Sequence, residues 1–216
     1  MSSSGSAGRA LAKSTDGIVS RYINRKVSTR ITAFLVKLPN PPSPDTVSIV
    51  SALVTALGAL LIATGPMWLG GLLVQLGSIL DGVDGEIARA LKKQSKGGAL
   101  FDTMLDRLAD IAVITGLAAA SIVKGYSTWI VVFASTLGLA GDLLVTYIHC
   151  IGEKLAGIHP VLVGRLPGIA SRDVRLFIVF LASLVNAPLA ALLVIAFLGF
   201  LYSLAKTIEL LGYIMG

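Results

Sequence analysis

The run DGVDGEIARALKKQSKGGALFDTMLD, residues 81–106, sets Asp81, Asp84, Asp102 and Asp106 between long apolar segments. Ionised groups in apolar surroundings are costly and mark functional sites. On a helix, Asp81, Asp84 and Ala88 share one face at i, i+3, i+7, and Gly98, Asp102 and Asp106 share one at i, i+4, i+8. The basic turn at 92–97 joins the two segments. It predicts an antiparallel helical hairpin in which two carboxylates from each helix face each other. Four negative charges that close cannot all stay ionised without a cation. Hard cations take oxygen ligands, so Mg²⁺ or Mn²⁺ is expected.

The rest of the chain sets that run in a membrane. Its 216 residues are 55% hydrophobic and only 14% charged, with a mean hydropathy of +0.83. Soluble domains do not have this balance, and integral membrane proteins do. The net charge of +6 would suit nucleic acid only on a basic soluble domain, and the apolar runs exclude that reading. The single cysteine, Cys150, excludes an intrachain disulfide and a cysteine-based metal site.

The expected fold is all-α and membrane-integral, with six spans near 46–64, 67–91, 98–123, 128–151, 174–185 and 188–212. The fifth is short for a crossing that needs about 20 apolar residues. Residues 1–13 read as a disordered start or linker remnant, 14–44 as an amphipathic juxtamembrane helix, and 45–216 as one six-helix domain. In the juxtamembrane segment Ile18, Tyr22, Val27, Ile31, Phe34 and Leu35 recur at helical spacing, with Arg21, Arg25, Lys26 and Arg30 between them. That pattern suits a helix lying in the interface, either as a plain anchor or as one wall of the site. An even number of spans puts both termini on one side. That side also carries every basic residue outside the spans except Lys124, so termini and aspartates are expected in the cytoplasm.

Other residues gather toward the same end. Pro39 to Pro44 stop the juxtamembrane helix, and Ser43 or Asp45 can cap the next one. Arg89, one turn beyond Gly85, can neutralise a diphosphate or snorkel at a helix end. Arg165, Arg172 and Arg175 approach the cytoplasmic mouth, either as membrane-surface charge or as a cationic pocket for a phosphorylated acceptor such as inositol phosphate. Glu86 faces away from Asp81 and Asp84 and receives no role, and Asp142 has no evident partner. Asp110, one turn beyond Asp106, can bond within the bundle, support a metal ligand or reach the acceptor.

The spacing D-x2-D-G-x2-A-R-x8-G-x3-D-x3-D is filled here by Asp81, Asp84, Gly85, Ala88, Arg89, Gly98, Asp102 and Asp106. It resembles the CDP-alcohol phosphotransferase family, also called the CDP-alcohol phosphatidyltransferase family, at every motif position. The resemblance implies a transferase that moves the substituted phosphate of a CDP-alcohol donor to the hydroxyl of an alcohol acceptor, releasing CMP. It implies two Mg²⁺ or Mn²⁺ ions on Asp81, Asp84, Asp102 and Asp106, with Asp106 as the base that takes the acceptor proton. The element Pro44-Asp45-Thr46-Val47-Ser48 matches the one with which the family helps hold the CDP part of the donor. Ser95, by the same resemblance, can hydrogen-bond a donor phosphate.

A homodimer in a cell membrane is implied too. The pattern Asp16-Gly17-x2-Ser20-Arg21-x2-Asn24-Arg25-x2-Ser28 resembles the branch joining CDP-inositol to inositol phosphate. There a cytidylyltransferase domain or partner often works beside this one. A phospholipid synthase using CDP-diacylglycerol or CDP-archaeol is the alternative within the family. A membrane cation transporter lined by the same aspartates, with Asp110 and Asp142, is the alternative outside it. Metal-dependent CMP release separates the enzyme from the transporter.

Overall fold

The computed structural model describes residues 15–216, and these are helical with short connections. A π-helical turn, Ser20–Asn24, runs into α1 (Arg25–Leu35). There follow α2 (Pro44–Thr64), α3 (Met67–Ala90), α4 (Lys96–Val123), α5 (Thr128–Ala156), a 3₁₀ turn (Pro160–Leu162), α6 (Arg172–Leu184) and α7 (Pro188–Met215). Segment 1–13, expected as a disordered start or linker remnant, lies outside the described residues.

Local chemistry sets the helix starts. The Ser43 side chain accepts the Thr46 N–H at 3.1 Å, with Pro44 in the first turn, so Ser43 rather than Asp45 caps α2. The Ser95 hydroxyl accepts the Gly98 N–H at 2.9 Å and caps α4. Gly157, at φ 70°, ends α5 in the left-handed conformation.

By length and composition, α2, α5 and α7 can each cross a membrane. Helices α3 and α4, of 24 and 28 residues, are long enough but carry the charged run. Helix α6 has 13 residues, about 20 Å at 1.5 Å per residue.

Packing differs from a simple hairpin. Helix α2 lies along both α3 and α4, whereas α3 and α4 make few close backbone approaches to each other. The expected α3–α4 hairpin is therefore open, with α2 bridging its arms. The bridge is tight because Gly58 and Gly70 meet backbone to backbone: a Cβ on either would stand within 2.7 Å of the other's carbonyl oxygen. Helix α6 packs on α3, and α5 packs on α7. The main apolar core holds Ile62, Val74, Leu117, Val179 and Leu192. Leu117 stands about 16 Å along α4 from Asp106, so the carboxylates occupy the opposite, polar end.

Helix α1 docks on α3 mainly by its polar side, with Ile31 and Leu35 packed beside it against Val83 and Ile87. Its polar side meets α3: Asn24 is bonded to Ser78 and Gln75, and Arg25, Ser28 and Thr32 all reach Glu86. Tyr22, Val27 and Phe34 point outward and are exposed. The physical reason is Glu86. A fully buried carboxylate needs several donors, and α1 supplies them.

Candidate active site

Asp81 and Asp84 sit in the last turns of α3, and Asp102 and Asp106 in the first turns of α4. One carboxylate oxygen from each of Asp81, Asp102 and Asp106 lies within 4.8 Å of the other two. Asp84 is 5% exposed and accepts a short hydrogen bond from the Ser48 hydroxyl of α2. The open hairpin still brings the acids together, because their side chains reach across the gap that the backbones leave.

A cleft of about 260 Å³ opens beside them. Asp84 and Asp102 line it from the acidic side. Asp45, Ser48, Gly85, Arg89 and Ser95 line the rest. Five of the seven positions expected to hold the donor thus border one cavity. Thr46 and Val47 do not: Thr46 is engaged with Ser43 at the α2 cap, and Val47 is buried against Val83 and Ile87.

Arg89 and Lys93 are the cationic residues that line the cleft. The Nε and Nη2 of Arg89 are buried and have no hydrogen-bond partner among the described residues. A buried guanidinium with unused donors is suited to an anion entering the cleft. Gly85 makes room for it, since a Cβ there would stand 3.2 Å from Arg89 Nη1.

The three arginines expected at the acceptor side are placed differently from one another. Arg172, at the first residue of α6, reaches Asp81 at 3.1 Å and Asp106 at 2.8 Å. Arg175 is buried one turn on and pairs closely with Asp142. Arg165 lies in the loop before α6, where its backbone N–H and that of Leu166 donate to Glu209. That loop is pinned by buried Lys206, which donates to the carbonyls of Val163 and Leu166 and to Glu209.

Asp142, expected to lack a partner, has two, Arg107 and Arg175. Glu86 does face away from the acidic centre, yet it is the socket that holds α1. Arg25 carries that contact, bridging Asp16 at 2.7 Å and Glu86 at 2.5 Å. Burial disfavours its charge, but the hydrogen bonds to Asp16 and Glu86 outweigh it and hold the guanidinium above its ordinary pKa. The partners of Asp142 and Glu86 escaped the sequence reading because they lie more than thirty residues away, as in Arg107–Asp142 and Ser28–Glu86.

The donor set suits hard divalent cations. Four carboxylates gather with no histidine or thiol among them, and the guanidinium ion-paired with them, Arg172, is shared with Asp110. Oxygen-only ligation with surplus negative charge matches Mg²⁺ or Mn²⁺.

Fold and site together define an all-helical protein with membrane-type helices, in which a cleft lined by Arg89 borders an acidic centre suited to metal. The chain belongs to the CDP-alcohol phosphatidyltransferase family, which it matches over residues 42–212. A bifunctional IPC transferase and DIPP synthase from Rubrobacter xylanophilus is 46% identical over 200 residues, covering 92% of this chain and 44% of that protein. The chain spans less than half the length of that relative. The archaetidylinositol phosphate synthase of Pyrococcus horikoshii is 33% identical over 167 residues, 77% of this chain and 82% of that one. In fold, the chain resembles the phosphatidylinositol phosphate synthase of Mycobacterium tuberculosis crystallised with CDP-DAG bound. The TM-score is 0.69 at 22% identity, over 86% of this chain and 94% of that one. The same enzyme has been crystallised with manganese and citrate, and that structure gives a TM-score of 0.67 at 20% identity, over 85% of this chain and 88% of that one.

Proposed function

We propose that this chain transfers the substituted phosphate of a CDP-alcohol to the hydroxyl of a phosphorylated alcohol of the inositol phosphate type, with release of CMP. CDP-inositol is the donor this reading favours; CDP-diacylglycerol or CDP-archaeol is the second. The observation that carries the proposal is the meeting of two unlike groups at one cleft: Arg89, with two buried nitrogens unpartnered, on one side and the converging aspartates on the other. A nucleoside diphosphate ester needs both, a cation for its phosphates and a centre where the phosphorus is attacked.

In this reading Asp81, Asp84, Asp102 and Asp106 hold two divalent ions, which when bound offset charge on the diphosphate and on departing CMP. Arg89 and the Ser95 hydroxyl hold the donor phosphates, and Asp45 and Ser48 border the nucleotide. Ser48 also orients Asp84 through its hydrogen bond. Asp106 takes the acceptor proton as the acceptor oxygen bonds to phosphorus, and the bond from phosphorus to the CMP oxygen breaks. Arg172, and the loop carrying Arg165, stand on the acceptor side; Arg175 supports them from below through Asp142.

Six helices, α2 to α7, set this centre at the cytoplasmic face of a cell membrane, with the termini on the same side and α1 along the surface. A homodimer, and a cytidylyltransferase domain or partner supplying the donor, belong to the same reading. The family places the chain with transferases, and the arginine partners of Asp110 and Asp142 leave no line of open carboxylates for an ion path.

The test uses purified protein in lipid nanodiscs with Mn²⁺, inositol phosphate and each CDP-alcohol in turn. CMP and a phosphodiester are expected from CDP-inositol. No CMP from any donor would refute the reading, and turnover only with a lipid donor would reassign the substrate.

A further inference from the structure

Arg172 is shared by three acids. Its Nη1 lies 3.1 Å from Asp81 and 2.8 Å from Asp106, and its Nε donates to Asp110 at 3.1 Å. Two of these acids belong to the converging group. Asp110 belongs to a buried ladder beneath it. There Arg107 reaches Asp110 at 2.8 Å and Asp142 at 2.6 Å, and Arg175 pairs with the other oxygen of Asp142. Within the ladder, two guanidinium groups face two carboxylates and the charge closes. Arg172 is the extra cation, and its remaining counter-charge is Asp81 and Asp106.

Those carboxylates are also the donors that the proposed metal site calls on. An oxygen held by a guanidinium is less available to a metal, so the two cations compete for the same atoms. Full displacement of Arg172 would strand a half-buried charge. Asp110 removes that cost. It holds the Nε edge from the far side, so the Nη1 end can leave Asp81 and Asp106 while one ion pair persists. Arg107, anchored on Asp142 and Thr146, keeps Asp110 in place for this.

We propose that Arg172 is an internal counter-cation of Asp81 and Asp106 that yields them to a divalent metal, and that Asp110 is the positioning residue that retains Arg172 when it yields. The inference rests on the metal-site reading above. It makes metal entry an exchange of cations rather than an addition of charge, and it assigns Asp110 a part in metal affinity although it need not touch the metal.

The test is titration of Mn²⁺ alone into the detergent-solubilised chain, followed by electron paramagnetic resonance. Removing the competitor with Arg172→Gln should tighten Mn²⁺ binding by roughly tenfold, the scale of one charge-assisted hydrogen bond. Asp110→Asn should weaken it by a similar factor, because Arg172 then has no other seat. In the Arg172→Gln background, Asp110→Asn should have no further effect. Equal weakening in both backgrounds would mean that Asp110 acts through charge alone, and the proposal would fail. It would fail too if Arg172→Gln left affinity unchanged or lower. Should Arg172→Gln not fold, Arg172→Lys serves: an ammonium cannot bridge three acids, so affinity should still rise, and unchanged or lower affinity overturns the idea. No Mn²⁺ binding by the parent chain would bring down the metal site itself, whereas binding with an unchanged Arg172→Gln affinity brings down only the exchange.

Discussion

Asp84 and Glu86 are two residues apart on α3, and both are buried. On the Glu86 side, Arg25, Ser28 and Thr32 supply donors to both carboxylate oxygens, at 2.5 to 2.7 Å. On the other side, Asp84 has the Ser48 hydroxyl and stands among further carboxylates, at a cleft where Arg89 leaves donors unused. The same helix therefore carries one acid, Glu86, whose needs the protein meets in full and another, Asp84, that has one hydroxyl and stands in a crowd of carboxylates. A satisfied buried charge holds a structure together. A crowded acidic cluster that shares a single guanidinium, Arg172, is suited to binding further cations.

Four measurements can break this contrast. The largest effect should come from metal removal. Chelation with EDTA should abolish CMP release, and Mn²⁺ or Mg²⁺ should restore it. It should also lower the melting temperature, whereas the stability supplied by the Glu86 socket should not depend on metal. Next, Asp106→Asn should reduce kcat by about 10³-fold, the scale of a lost base at a charged centre, with the protein still folded by circular dichroism.

Glu86→Ala should act in the opposite sense, on stability more than chemistry. Leaving Arg25 without its buried partner should cost about 3–5 kcal/mol, read as a lower denaturation midpoint. The pair Glu86→Leu with Arg25→Met should recover much of the loss. If Glu86→Ala instead removed activity at unchanged stability, the division between the two sides of α3 would be wrong. The smallest effect is Arg89→Gln, which should raise the donor KM by about tenfold or somewhat more, the range of one or two charge-assisted hydrogen bonds. An unchanged donor KM would remove Arg89 from the cleft's chemistry.

The acids of the site were legible because their spacing is local. Positions i, i+3 and i+4 share a helix face whatever the rest of the fold does, and the short basic turn forces the two segments to meet at one end. Arg89, Gly85 and Ser95 were legible for the same reason, since each lies within a turn or two of an aspartate or at a helix cap. The apolar pattern of α1 agrees with exposed Val27 and Phe34; the partner of its polar face was not legible, because Glu86 lies more than fifty residues further along the chain. One buried carboxylate on α3 draws that polar face in, since leaving Glu86 without donors is costly. The short turn makes the α3–α4 hairpin legible but not the spacing of its arms; the glycines of α2 and α3 that draw α2 between them pair only in three dimensions.

By itself, the sequence determined that this chain is helical and membrane-like, and that an acidic, cation-seeking centre sits where α3 ends and α4 begins. Composition and helical periodicity are properties of neighbours along the chain, so they survive any arrangement of the helices. Only the tertiary structure decided which charges are spoken for: Asp142 by Arg107 and Arg175, Glu86 by α1, Asp110 by Arg107 and Arg172. Charge compensation acts over a few ångströms of space between residues far apart in the chain, and spacing along a single strand of sequence carries no record of it.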